Sequence, residues 1–190
     1  VVTSSAVDAA REPSFPSSAA LDNPAFAALT GPHAHFAERR GGAVRYQTDV
    51  CPMAALPDDP TDDDWSDAAA LVGPGQPMFL PVVSVVAPPG WGVGMHIPGV
   101  QMVDRDVKPA PDAEAVELTA ADVPEMMDLV RRTEPGPFRP RTIELGTYLG
   151  IRRNGRLVAM GGERLHVPGG QRSAPSAPTR ITAATDLRAA

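Results

Sequence analysis

The chain has 190 residues, of which 43% are hydrophobic, and a formal net charge of −6 with a sequence pI near 5.1. That acidic balance argues against a nucleic-acid surface, since the largest basic clusters are pairs such as Arg39-Arg40 and Arg152-Arg153. No run approaches the ~18 apolar residues of a membrane span, no basic-then-apolar leader opens the chain, and a lone cysteine, Cys51, permits no intrachain disulfide. A reducing, cytoplasmic setting without membrane or nucleic-acid partners is therefore expected.

Residues 1–20 are rich in Ser, Ala and Pro and read as a disordered N-terminal tail. Residues 21–110 read as an α/β half. Asp22 or Asn23 followed by Pro24 predicts a helix start, and Gly31-Pro32 predicts its break. A strand is expected around Ala43 to Tyr46. Trp65 to Val72 reads as a helix whose first turn gathers carboxylates, which suits the helix dipole. Met78 to Val86, MFLPVVSVV, is expected as a buried strand with an edge or bulge at Pro81. Trp91 to Val103 reads as a further strand region broken by glycines, and Pro109 to Asp112 as a linker.

Residues 111–169 form a second segment. Val116 to Leu118 is expected as a short strand. Thr119 or Asp122 should then cap a helix to about Arg132, with Val123, Met126, Met127 and Val130 at helical intervals. Glu134-Pro135-Gly136-Pro137 is a loop, and about Pro140 to Gly146 a helix or turn. Tyr148 to Val167 then reads YLGIRRNGRLVAMGGERLHV, two apolar-rich runs hinged at Asn154-Gly155, the strongest short hairpin signal. Gly161-Gly162 inside the second run implies a bulge or a close approach of backbone. Residues 170–190 lack sustained apolar alternation and read as a disordered tail without strand pairing.

Three stretches, VELTAADVPEMMDLVRRTEPGPF, PRTIELGTYLGI and NGRLVAMGGERLHVPG, together resemble the opening of a GNAT N-acetyltransferase, in particular the FR47-like group. The block from Gly136 to Ile151 carries most of the likeness. LDNPAFAALTGPHAHFAERRGGAVRYQTDV is similar to the N-terminal half of such proteins. The resemblance implies an incomplete GNAT-like α/β fold, a mixed sheet with flanking helices. It also implies transfer of an acetyl group from acetyl-CoA to a small-molecule or peptide amine. By the same resemblance, Glu163 is the candidate to accept the amine proton, directly or through water. Phe138, Arg139 and Arg141, in the connection between the two helical segments, would wall the acceptor pocket, with either arginine able to pair with a carboxylate. Tyr148 could point its hydroxyl into the same cleft. Bland roles compete with each of these: a solvated strand carboxylate for Glu163, core packing for Phe138 and Tyr148, and a surface loop for the arginines.

In such proteins the hairpin is followed by a strand and an Arg-Gly-x-Gly loop whose backbone N–H groups hold the pyrophosphate of acetyl-CoA. This sequence has no such loop. Back-translated from Gly169 and read from the third base of each codon, the tail can encode WTEISAVCTDPDYRGHGLAR, which contains one. The tail is thus expected to be an out-of-frame reading of the acetyl-CoA motif, and the chain to be inactive as written. A non-catalytic binding or regulatory module is the alternative, and a product without function the third. His33-x-His35 is expected to be helix surface or packing, since two histidines do not make a metal site. Asp58, Asp59, Asp62, Asp63 and Asp64 are expected to be a solvated helix start.

Overall fold

The computed structural model describes residues 18–100, 108, 110, 112–168 and 184–185. Two antiparallel sheets form the frame, one of three strands in the order β1-β2-β3 and one of four in the order β4-β5-β6-β7.

The chain enters through α1 (Ser18–Asp22) and α2 (Pro24–Leu29). Ser18 to Ala20, expected to be disordered, are thus helical, because good helix formers lead straight into the next helix; residues 1–17 lie outside the described residues. Pro24 opens α2 as expected, but Asn23 makes no side-chain cap. Its amide instead donates to the Leu56 carbonyl at 2.9 Å and to Asp58 at 3.0 Å, tying the helix start to a distant loop. A 3-10 turn (Ala34–Phe36) leads into β1 (Ala37–Arg40), which hairpins through Gly41-Gly42 onto β2 (Ala43–Tyr46). β3 (Ala54–Ala55) completes the sheet. The helix α3 (Asp62–Val72) follows, with a capping box in which Thr61 and Asp64 satisfy each other's backbone N–H.

The expected strand at Met78 to Val86 does not form. Phe79 makes one parallel bridge to Met53, and its carbonyl accepts from Ala54 N–H at 3.0 Å, but pairing stops there. Pro81 cannot donate to a ladder, and Val83 and Val86 are 73% and 84% exposed. Residues 91–100 form no strand either, because glycines and prolines recur too often to sustain pairing; Gln101 to Val103 lie outside the described residues.

The second sheet begins with β4 (Val116–Glu117). Thr119 and Asp122 form another capping box, a 3-10 turn (Ala120–Asp122) follows, and α4 (Val123–Thr133) buries Met126 and Leu129. Glu134, at φ 46°, closes α4 by donating its N–H to the Val130 carbonyl. After a 3-10 turn (Thr142–Leu145), β5 (Tyr148–Arg153) and β6 (Arg156–Gly162) pair across Asn154-Gly155, whose φ values of 50° and 75° are those the turn needs. β6 ends at Gly162 rather than running to Val167. The register shifts between Ile151 and Arg152, and beside that shift Glu125 on α4 accepts from Leu157 N–H at 2.6 Å and from Arg152 at 2.8 Å. One carboxylate therefore locks the helix to the hairpin.

The tail expectation needs a correction. Ala184–Thr185, β7, pairs antiparallel with β6 opposite Ala159 and Met160. An open strand edge presents unpaired N–H and C=O groups, which a short run of backbone can meet whatever its side chains. The other tail residues lie outside the described residues.

The core has three clusters. The largest joins α2, β2 and β3 through Leu29, Phe36, Tyr46, Val50 and Met53, and it includes Leu145 and Leu165 from the second half. The second packs α4 against the hairpin through Leu118, Met126, Leu129, Phe138, Tyr148, Leu157 and Met160. The third seats α3 on the first sheet through Trp65.

Gly162 shows why the second cluster is sensitive to volume. A Cβ there would lie 2.3 Å from Tyr148 Cδ1. Gly162→Ala should destabilise the chain by about 1–3 kcal/mol, as overpacking does in a filled core. Urea unfolding measures it, and an unchanged midpoint would mean that the Tyr148 ring is free to move aside.

Candidate functional site

The C-terminal ends of α4 and β6, the start of β5 and the loop between α4 and β5 meet at one place. Tyr148, the first residue of β5, is 1% exposed, and its ring stacks edge-on to Phe138 at 5.7 Å between centroids. Gly162 opposite leaves room for that ring. Val130, Pro135, Gly136, Phe138, Tyr148, Met160 and Arg164 line a small, mostly apolar hollow here. Two buried polar atoms at its wall, the Tyr148 hydroxyl and Arg164 Nε, have no hydrogen-bond partner of normal geometry among the described residues. Burial pushes the Tyr148 phenol up from its ordinary pKa, and the nearby Arg164 guanidinium opposes part of that rise.

Glu163 sits one residue beyond β6. Its Oε2 accepts from Thr147 N–H at 2.8 Å, and its own N–H donates to the Thr147 carbonyl at 3.1 Å. His166 Nε2 lies 3.2 Å from the same Oε2 but out of line for a hydrogen bond. The His166 ring packs against that of His33, with centroids 5.0 Å apart. His33 is 3% exposed, and its Nδ1 is 2.9 Å from the Tyr46 hydroxyl. Its pKa is lowered to about 4, first by burial and then by the positive fields of His166 and His35, with Glu163 opposing. Tyr46 is pushed up, mainly by burial, so at neutral pH both partners are uncharged. Buried Cys51 is likewise raised, mainly by burial, which leaves an unreactive thiol.

The two loop arginines differ. Arg139 is exposed, while its backbone N–H donates to Thr142 Oγ1 at 2.8 Å. Arg141 is engaged by protein acceptors: Gln47 Oε1 at 2.8 Å, Asp49 at 3.2 Å and Glu144 at 2.7 Å. The Thr142 hydroxyl also donates to the Val50 carbonyl at 2.7 Å in a buried bond. The structure thus brings Phe138 and Tyr148 together, sets Glu163 outside their hollow with its carboxylate on Thr147 N–H and facing His166, leaves Arg139 at the loop surface, and uses Arg141 as a tie to the first half. The sequence reading expected His33 on a helix surface or in packing, and it is packed; the reading missed Tyr46, Arg164 and His166. A signal existed for the last two: Arg164 and His166 alternate with Leu165 and Val167 directly after the hairpin strand, where charged residues beside apolar ones are candidates for a buried site.

Nothing among the described residues suits a pyrophosphate. The helices long enough to offer an anion site are α3 and α4. Both carry acids at the start, Asp62, Asp63 and Asp64 in one and Asp122 and Glu125 in the other, and these carboxylates repel a second anion. No three His, Cys, Asp or Glu side chains among them converge as metal ligands, and no helix is long and apolar enough to cross a membrane.

No family model and no curated protein matches the chain. A solved structure from Novosphingobium aromaticivorans DSM 12444, ascribed to the GNAT family as an acetyltransferase, does match. It is 32% identical, with a TM-score of 0.62, over 77% of this chain and 65% of its own length. The fold is GNAT-like. Just under two thirds of that relative is therefore spanned by this chain. Within the GNAT-like frame, β7 lies on the β6 edge, where the sequence resemblance places the next strand.

Two outcomes follow from the packing between the halves. His33 binds its proton at about 4 when folded and near 6.5 when unfolded, so the unfolded state takes up more protons between those values. Stability should be full above pH 6.5 and fall as pH drops toward 4, by up to about 3 kcal/mol from this group at ~1.4 kcal/mol per unit. His33→Gln should flatten that part of the pH profile; parallel profiles for both proteins would show that His33 does not control it. Separately, Thr142→Val should cost about 1–3 kcal/mol, because the Val50 carbonyl and Arg139 N–H lose a shared partner. Arg139→Ala should leave the urea midpoint unchanged, and equal losses in both variants would contradict the assignment.

Proposed function

We propose that this chain is the acceptor side of an N-acetyltransferase of the GNAT family, FR47-like group, which passes an acetyl group from acetyl-CoA to a small-molecule or peptide amine. The likeness to the GNAT-family structure, at 32% identity over 77% of the chain, carries the reading. The block from Gly136 to Ile151 supports the FR47-like assignment, since it builds the loop and strand that wall the hollow. In this reading Phe138 and Tyr148 contact the acceptor. Arg139 stands at the exposed loop, where it can meet an acidic group on the incoming molecule. Arg141 fixes that loop through Gln47, Asp49 and Glu144. Glu163 accepts the amine proton, its carboxylate being held by Thr147 N–H. A single buried cysteine, Cys51, supports a cytoplasmic setting.

The acid-capped helix starts do not fit the cofactor's anionic groups, and no step through acetyl-CoA is drawn from these residues. We read the segment after Gly169 as an out-of-frame version of the cofactor motif, and the chain as inactive in this form. A second reading, a non-catalytic binding or regulatory module, is favoured by one observation: the hollow is built wholly from residues of this chain.

Calorimetric titration with acetyl-CoA tests the main reading. The 190-residue chain should show no useful binding, and a version whose tail continues in the alternative frame should bind it. Comparable binding by both would overturn the argument from the missing loop. Binding by neither would overturn the transferase reading and favour the module.

A further inference from the structure

Arg164 is the most unusual charge in the molecule. It is 4% exposed, and its Nε is buried without a partner. Among the described residues no carboxylate lies within ion-pair distance of it, although the structure contains many other arginine–carboxylate pairs, nearly all at the surface. Its sequence neighbour Glu163 does not serve, because the Glu163 Oε2 is taken by Thr147 N–H and faces His166. A buried Nε–H without a partner on a charge that has no counter-ion is costly, and the Tyr148 hydroxyl beside Arg164 at the same hollow has no protein partner of good geometry, the Arg164 guanidinium being its nearest polar neighbour. Groups of this kind persist where they meet a ligand.

We propose that Arg164 and Tyr148 form a carboxylate-recognition point in the hollow between α4, the loop at residues 135–138 and the β5–β6 pair. The inference deepens the acceptor-side reading and rests on it for one thing only, that the bound molecule is the amine acceptor. The acceptor class it names is an amine that also carries a carboxylate on a short apolar body. The guanidinium offers a planar fork of N–H donors that matches two carboxylate oxygens, and the phenol supplies one more O–H donor. Val130, Phe138 and Met160 exclude water, which strengthens the charge pairing and selects an apolar body next to it. The loop prolines and the αL residue Glu134 fix the wall that closes the hollow.

The probe is butyrate against its uncharged isostere butyramide, titrated into the 190-residue chain. The Arg164 Nε–H resonance and the melting temperature are followed. Butyrate should shift that resonance, raise the melting temperature and bind at least tenfold more tightly than butyramide. Arg164→Met should abolish the preference. Without ligand this variant should melt at the same temperature as the parent or higher, since it removes an uncompensated buried charge. Tyr148→Phe keeps the ring against Phe138 and Gly162 and should weaken butyrate several-fold. Equal affinity for butyrate and butyramide, or no binding of either, overturns the proposal. So does an Arg164→Met variant that melts lower while butyrate leaves the parent unchanged, because Arg164 is then a structural group. Tighter binding of butyl phosphate than of butyrate overturns the carboxylate class. Acetyl-CoA binding is read separately, so a failed transferase reading leaves this result standing, and a failed butyrate titration leaves the transferase reading standing.

Discussion

The structure depends on a seam between its two halves, and the seam is held by a few groups at residues 139–145. Thr142 uses its one hydroxyl twice, accepting from Arg139 N–H and donating to the Val50 carbonyl inside the core. Arg141 donates its backbone N–H to the Asp49 carbonyl while its guanidinium reaches Gln47 and Asp49. Leu145 and Leu165 then enter the first half's core. A buried hydrogen bond of this kind adds little net energy when made but costs heavily when one partner is removed. The seam therefore specifies position more than it adds stability. It decides where β5 starts, and hence where Tyr148 and the hollow lie.

From that start the second half is governed by volume. Gly150 and Gly162 are places where a side chain would strike Leu118, Leu157 or Tyr148. The large aromatic ring fills what the glycines leave open, and α4 is held over it by the Glu125 carboxylate on Leu157 N–H and Arg152. The apolar wall of the hollow is thus the same surface that stabilises the α4–hairpin layer. Site and core are continuous, which is why bland and functional roles for Phe138 and Tyr148 do not exclude each other.

Local signals were readable where the chemistry is local. Asn154-Gly155 demanded two positive φ angles and received them; Thr119 and Asp122 formed their cap; Gly162 proved to be a close approach to Tyr148. The reading failed where pairing partners decide. MFLPVVSVV has strand composition, yet Pro81 removes a donor and only Phe79 finds a neighbour, so its valines face outward. The tail has no strand composition, yet Ala184–Thr185 pairs because β6 offers an edge. For the site, residue type and resemblance pointed to Phe138, Tyr148 and Glu163; the first two share a hollow, and Glu163 faces Thr147 and His166 instead. They could not show that Arg141 is taken up by the first half. Nor could they bring His33 against His166, residues 133 positions apart that meet only across the seam.

Electrostatics divides the molecule further. The starts of α3 and α4 carry carboxylates, and the net charge is negative, so neither helix start favours a polyanion. Among the described residues, Arg164 stands buried beside Tyr148 with no carboxylate within ion-pair distance. A small carboxylate can be captured by one guanidinium in an apolar hollow. Pyrophosphate needs a row of free backbone donors. The helices α3 and α4 instead meet an incoming anion with carboxylates in their first turns. On the β6 edge, β7 pairs only with Ala159 and Met160 among the described residues.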